Sequence, residues 1–157
     1  MSGWSDTGGQ PEDEHQRFDR YLQQLEDVRR EDEAELARMI LRDPDEVMAQ
    51  SAVARHLDRR AHRLLTDSGF DDWFHSMATE VREHEFLVRR LHEWMLLKSI
   101  AVNAPWRSED VLAASDWFQR TAAQILTSPA ALRLLAGDGR TRRVRTAASR
   151  RLADQRR

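Results

Sequence analysis

Apolar residues recur every three or four positions along most of this chain, and this spacing constrains its fold more than any other feature. The first long stretch carries Tyr21, Leu22, Leu25 and Val28 at such intervals. The spacing continues, with breaks, into the C-terminal region, and no segment alternates β-branched with polar residues over a useful length. We therefore predict an all-α fold, a single compact bundle of six or seven helices with a basic C-terminal helix.

Turn and capping residues divide the pattern into seven helical segments. Asp43 and Pro44 predict the start of the second helix, because aspartate caps helices and proline suits the first helical position. Ser108 and Ser128 likewise predict the starts of the fifth and sixth helices. Within the first segment, the charged run Arg29–Glu33 favours a break in the helix. The charged stretch Arg82–Glu85 likewise favours a break between the third helix, which ends at Val81, and the fourth.

The domain organisation follows from composition. Residues 1–11 are rich in glycine and polar residues, so we expect a disordered tail there. We expect residues 12–157 to form a single helical domain. Its last helix, at about residues 141–154, is rich in arginine.

Charge is distributed unevenly along the chain. The last eighteen residues contain eight arginines and one acidic residue, whereas the first forty-six contain fourteen acidic residues and six arginines. Such asymmetry indicates an end that binds a polyanion or an acidic partner. One alternative function is therefore sequence-tolerant nucleic-acid binding, since Gln155 is the only amide side chain in the tail that could contact bases. The residues expected to bind nucleic acid are Arg140, Arg142, Arg143, Arg145, Arg150 and Arg151.

Several classes of protein are disfavoured by what the sequence lacks. No apolar run reaches the roughly 18 residues of a membrane span, so we expect no membrane contact. Cysteine is absent, and no two histidines lie one helical turn apart, so we expect no metal and no cofactor. No phosphate-binding loop or serine-nucleophile motif is present. These absences favour a cytoplasmic, non-enzymatic protein, but they do not exclude an enzyme.

Tryptophans provide the leading functional hypothesis. Trp73 and Trp94 lie on apolar helix stripes and are expected in the core. Trp106 lies in a loop, and Trp117 adjoins Phe118, so one of that pair points away from the stripe. Exposed tryptophans often anchor protein interfaces. We therefore interpret the chain as a small cytoplasmic subunit or adaptor that binds a protein partner through Trp106 and Trp117.

A second alternative comes from Arg55 and His62, which are separated by six residues. The pair resembles the arginine–histidine motif of the HEPN ribonucleases, which are small helical bundles that often act as dimers. The resemblance implies metal-independent RNA cleavage, in which the arginine holds the phosphate and the histidine moves the 2′-hydroxyl proton. A homodimer is also compatible with the narrow apolar stripe from Phe18 to Val28.

Overall fold

The computed structural model describes residues 13–157. These residues form nine α-helices and one short 3-10 helix, and they contain no strand. The all-α prediction is confirmed, whereas the predicted count of six or seven helices is wrong. The predicted tail, residues 1–11, lies outside the described residues.

The chain divides into two compact units, and the boundary follows His56, inside a helix. The described part of the first unit is residues 13–56, and the second unit is Leu57–Arg157. That both units fold as the single domain predicted for residues 12–157 stays a prediction. The helices of the first unit are α1 (Glu14–Asp27), α2 (Glu33–Ile40) and the first part of α3 (Glu46–Leu64).

Two predicted helices each divide, which accounts for the larger helix count. In the first, a 3-10 turn at Arg30–Asp32 separates α1 from α2, at the charged run that predicted a break. In the fifth, Ala114 and Ser115 adopt extended backbone conformations. The Ser115 hydroxyl accepts a hydrogen bond from the Phe118 amide at 3.1 Å, so a new helix begins there.

A buried carboxylate–imidazole pair joins α2 to α3 in the first unit. The Nε2 atom of His56 lies 2.5 Å from Oε2 of Glu33, and both side chains are almost completely buried. Burying two ionisable groups is costly unless they are paired, so each stabilises the other in this position.

Asp43 organises the turn between α2 and α3. Its carboxylate accepts hydrogen bonds from the Tyr21 hydroxyl at 2.6 Å and from Nε of Arg17 at 3.1 Å. The Tyr21 hydrogen bond is the main cause that lowers the pKa of Asp43. Contrary to the prediction, Asp43 does not cap α3. Asp45 does so instead, accepting a hydrogen bond from the Met48 amide at 3.1 Å.

The second unit contains the C-terminal part of α3 and six further helices. The predicted break after Val81 is confirmed, and Ser128 caps a helix as predicted. Trp73 and Trp94 are buried, as expected for core residues. The helices are α4 (Phe70–Val81), α5 (Glu85–Ala101), α6 (Ser108–Ala113), α7 (Asp116–Ile125), α8 (Pro129–Asp138) and α9 (Arg142–Gln155).

Candidate functional site

A buried glutamine links three short elements of the second unit. The Gln119 side chain donates hydrogen bonds to the carbonyl oxygens of Val111 at 3.1 Å and Leu112 at 3.3 Å. Its Oε1 atom accepts from the Arg140 amide at 2.8 Å. The last carbonyl groups of a helix have no partner within that helix. Gln119 therefore satisfies the end of α6 and fixes the chain just before α9.

Arg140 binds the same helix end with its side chain. Its Nη2 atom donates to the carbonyl oxygens of Leu112 at 3.1 Å and Ala114 at 2.6 Å. Its Nη1 atom pairs with Asp116 at 2.7 Å. A guanidinium at the C-terminal end of a helix also interacts favourably with the helix dipole. In this structure Arg140, predicted to bind nucleic acid, has a structural role.

Arg151 acts in the same way at the end of α7. Its guanidinium donates to the carbonyl oxygens of Ala123 at 3.0 Å and Leu126 at 2.8 Å, and it also binds that of Gln124. One turn further along α9, the Gln155 side chain donates to the Thr127 carbonyl at 2.9 Å. These contacts, together with buried Val144 and Ala148, hold α9 against the unit.

Another side of α9 carries an open groove of about 540 Å³, called here the α9 groove. Arg145 binds the Gly139 carbonyl through Nη1 at 2.8 Å. Arg142, Arg143 and Arg150 are exposed and have no hydrogen-bond or ion-pair partner within residues 13–157. The six predicted arginines thus divide into backbone-binding and outward-facing members. The residues that line the α9 groove are Arg142, Arg145, Thr146, Ser149, Arg150 and Ala153.

A second feature is the aromatic cluster, defined as Phe86, Arg90, Trp94 and Trp117, which reaches the surface through Phe86 and half-buried Trp117. The guanidinium carbon of Arg90 lies 5.3 Å from the ring centre of Phe86 and 3.9 Å from that of Trp117. The Trp117 ring meets Trp94 edge to face at 5.4 Å. Half of the Phe86 side chain is exposed, and Trp117 is half-buried. Trp117, which the sequence predicted to bind a partner, therefore packs against the Arg90 guanidinium and is only half-buried.

Asp58 holds the aromatic cluster in place from α3. One carboxylate oxygen accepts from Arg90 at 2.6 Å, and the other accepts from the Trp94 indole at 2.8 Å. Burial raises the pKa of Asp58, and both of these partners oppose that rise by favouring the ionised form. The carboxylate fixes the orientation of both side chains.

Sequence reasoning missed Phe86, which the apolar spacing places in the core. The apolar spacing offers no signal that separates Phe86 from its neighbour Leu87, because adjacent helix residues can both be buried, as Trp73 and Phe74 are. Leu87 is completely buried, and Phe86 is the exposed member of that pair. Trp106, the other predicted anchor, lies in the loop that connects α5 to α6 and is half-buried.

A cavity of about 810 Å³ lies between α5 and α6 and is lined by residues that include His92, Glu93 and Ser115. Glu93 is buried and accepts hydrogen bonds from the Ser115 amide at 2.8 Å and hydroxyl at 2.6 Å. His92 instead contacts the ring of Phe74. The Ser115 hydroxyl thus donates to Glu93 on α5 and accepts from the Phe118 amide on α7, so it links these two helices.

The HEPN-like pair occupies different surroundings. Arg55 lies over the ring of Phe18 in the first unit, with 6.0 Å between guanidinium and ring centre. His62 belongs to the second unit and stacks on Trp94. Neither contact tests RNA cleavage, so the ribonuclease hypothesis stays a prediction.

Residues 13–157 contain neither a metal-binding cluster nor a membrane-spanning helix. No group of three or more histidine, aspartate or glutamate side chains there could hold a metal ion. No helix in the same range combines the length and apolar character needed to cross a membrane.

Comparison with known proteins gives no family for this chain. No protein-family model, no curated protein and no solved structure matches it.

Proposed function

We propose that this chain is a non-enzymatic interaction protein, a small cytoplasmic subunit or adaptor that binds a protein partner through the aromatic cluster. The observation that carries the proposal is the Arg90 guanidinium, which lies over the ring of Trp117 at 3.9 Å and over that of half-exposed Phe86 at 5.3 Å. Tryptophan and arginine are enriched among the residues that dominate the binding energy of protein interfaces. The absence of cysteine supports a reducing compartment.

Rigidity of the aromatic cluster supports the same proposal. The ion pair with Asp58 holds Arg90, and the contact with Trp94 holds Trp117. Side chains that are already ordered lose little conformational entropy when a partner covers them. Half-buried Trp106 is retained as a second anchor, as the sequence predicted.

The test begins with capture of a partner on the tagged full chain from a lysate of the source cells. The identified partner is then purified, and its affinity is measured by calorimetry. Phe86→Ala should weaken binding at least about tenfold, because truncating a central anchor costs about 2 kcal/mol. Trp117→Ala and Trp106→Ala should act in the same direction while helical content is unchanged.

Val102→Ala is the matched control, because Val102 is also a large exposed apolar residue, at 43% exposure, and lies outside the aromatic cluster. This variant should change the affinity by less than about twofold. Equal losses for Val102→Ala and Phe86→Ala would contradict a role for the aromatic cluster. Recovery of no partner above a tag-only control would count against the adaptor proposal itself.

A further inference from the structure

The α9 groove has the chemistry of a phosphate-binding surface. Three arginines and two hydroxyl side chains line it, and no carboxylate does. A guanidinium group donates paired hydrogen bonds to phosphate oxygens, and hydroxyl groups donate to the same oxygens. The lining therefore matches an anionic oxygen ligand.

The two arginines at the ends of the α9 groove are available for such a ligand. Arg142 and Arg150 are exposed, and within the described part of the chain no acceptor occupies either guanidinium. Arg145, between them, binds the Gly139 carbonyl through Nη1. Arg151 and its carbonyl partners keep α9 fixed, so the groove exists before a ligand arrives.

The length of the α9 groove selects an extended ligand. Arg142 and Arg150 are eight residues apart, which corresponds to about 12 Å along a helix that rises 1.5 Å per residue. Two arginines at this spacing favour a ligand with several anionic groups over a single phosphate. A nucleic-acid strand is such a ligand, because it presents a charge about every 3.4 Å along its axis.

The remaining side chains indicate a duplex read through its backbone. No asparagine, glutamine or aromatic residue lines the α9 groove. Amide side chains read base edges, and aromatic rings bind the unstacked bases of single strands. Gln155, the one amide that could have contacted bases, donates to the Thr127 carbonyl instead.

We infer that the α9 groove binds the phosphate backbone of duplex nucleic acid with little dependence on base sequence. The contacts come from Arg142, Arg145 and Arg150, with support from Thr146 and Ser149. Arg140 and Arg151 hold the surrounding helices and contribute little to the contact. This inference rests on α9 and is independent of the aromatic cluster.

The experiment measures fluorescence anisotropy of the full chain with a labelled mixed-sequence DNA duplex, the RNA duplex of the same sequence, and each single strand. The double variant Arg142→Gln/Arg150→Gln should bind the preferred duplex about tenfold more weakly at low salt. The slope of log affinity against log salt should fall by about two, because two phosphate contacts are lost. Affinity for a duplex of scrambled sequence should match that for the first.

Arg120→Gln/Arg133→Gln is the matched control, because both arginines are exposed, lie on α7 and α8, and change the net charge equally. It should retain the wild-type salt slope. Equal losses for the two double variants, tighter binding of single strands, or no binding at low salt would each overturn the inference. Competition by poly-glutamate as effective as that of the duplex would also overturn it and indicate an acidic protein partner. Phe86→Ala should leave duplex binding intact, which separates this test from the proposed function.

Discussion

Arg150 and Arg151 are neighbours in the sequence but lie on different sides of α9. Arg151 directs its guanidinium to the carbonyl oxygens that end α7, whereas Arg150 lines the α9 groove and faces solvent. One side chain completes a helix end within the protein, and the other presents the same hydrogen-bond donors to the outside. An arginine-rich tail is therefore not by itself a binding surface, because nearby helix ends use part of it.

The largest expected effect concerns the network beneath α9. Replacing Gln119 by leucine leaves the Val111 carbonyl and the Arg140 amide without their partner, whereas the Leu112 carbonyl keeps its hydrogen bond from Arg140. Each unsatisfied buried group costs about 1–3 kcal/mol, so we expect the free energy of unfolding to fall by about 3 kcal/mol. Urea denaturation followed by circular dichroism measures this loss.

Gln124→Leu provides the control, since Gln124 is exposed on the same helix. Its substitution should change the free energy of unfolding by less than about 0.5 kcal/mol. If both glutamine variants lose the same stability, the packing of α9 on the second unit does not depend on this hydrogen-bond network.

A smaller loss is expected from Arg151→Gln. This change removes the guanidinium from the end of α7, where the acceptors are partly exposed to water. We expect the free energy of unfolding to fall by about 1.5 kcal/mol. Arg150→Gln, with the same change in charge, should stay within about 0.5 kcal/mol of the wild type. Equal stability of the two variants in urea would contradict a structural role for Arg151.

The smallest expected effect contrasts two kinds of arginine acceptor. Arg17 binds the titratable carboxylate of Asp43, whereas Arg151 binds carbonyl groups that do not titrate. The Tyr21 hydroxyl, followed by the Asp45 amide and Arg17, holds the pKa of Asp43 below its ordinary value of 3.8. The stability that Asp43 contributes is therefore present above that value and is lost as the pH falls through its lower folded pKa.

Unfolding by urea at a series of pH values down to about pH 2 tests this contrast. Asp43→Asn should make the acid side of the stability profile less steep than in the wild type. Arg151→Gln should lower the profile without changing its shape. A wild-type slope in the Asp43→Asn variant would show that this carboxylate does not contribute to acid sensitivity.

Much of the helical architecture was predictable, because local signals determine it. The charged run at Arg29–Glu33, the serine before Pro129 and the stop after Val81 all mark boundaries that the structure contains. The division between α6 and α7 was not predictable. It depends on Glu93, which binds the amide and hydroxyl of Ser115 from a separate helix.

The candidate sites were predictable only in part, for a similar reason. The sequence identified Trp117 and the tail arginines, but it could not separate Arg150 from Arg151. The acceptors of Arg151 lie 25–28 residues earlier in the chain, and only the fold brings them within reach. The exposure of Phe86 likewise follows from how α5 is rotated, which apolar spacing alone leaves undecided for adjacent apolar residues.

The division of arginine roles on α9 is tested most directly by measuring duplex binding of Arg150→Gln and Arg151→Gln under identical salt conditions. The two variants carry the same net charge, so long-range electrostatics affects them equally. We expect Arg150→Gln to weaken binding severalfold and to reduce the salt slope by about one, whereas Arg151→Gln should bind as the wild type does at temperatures where it is folded. Equal weakening in both variants, or greater weakening in Arg151→Gln, would contradict the account.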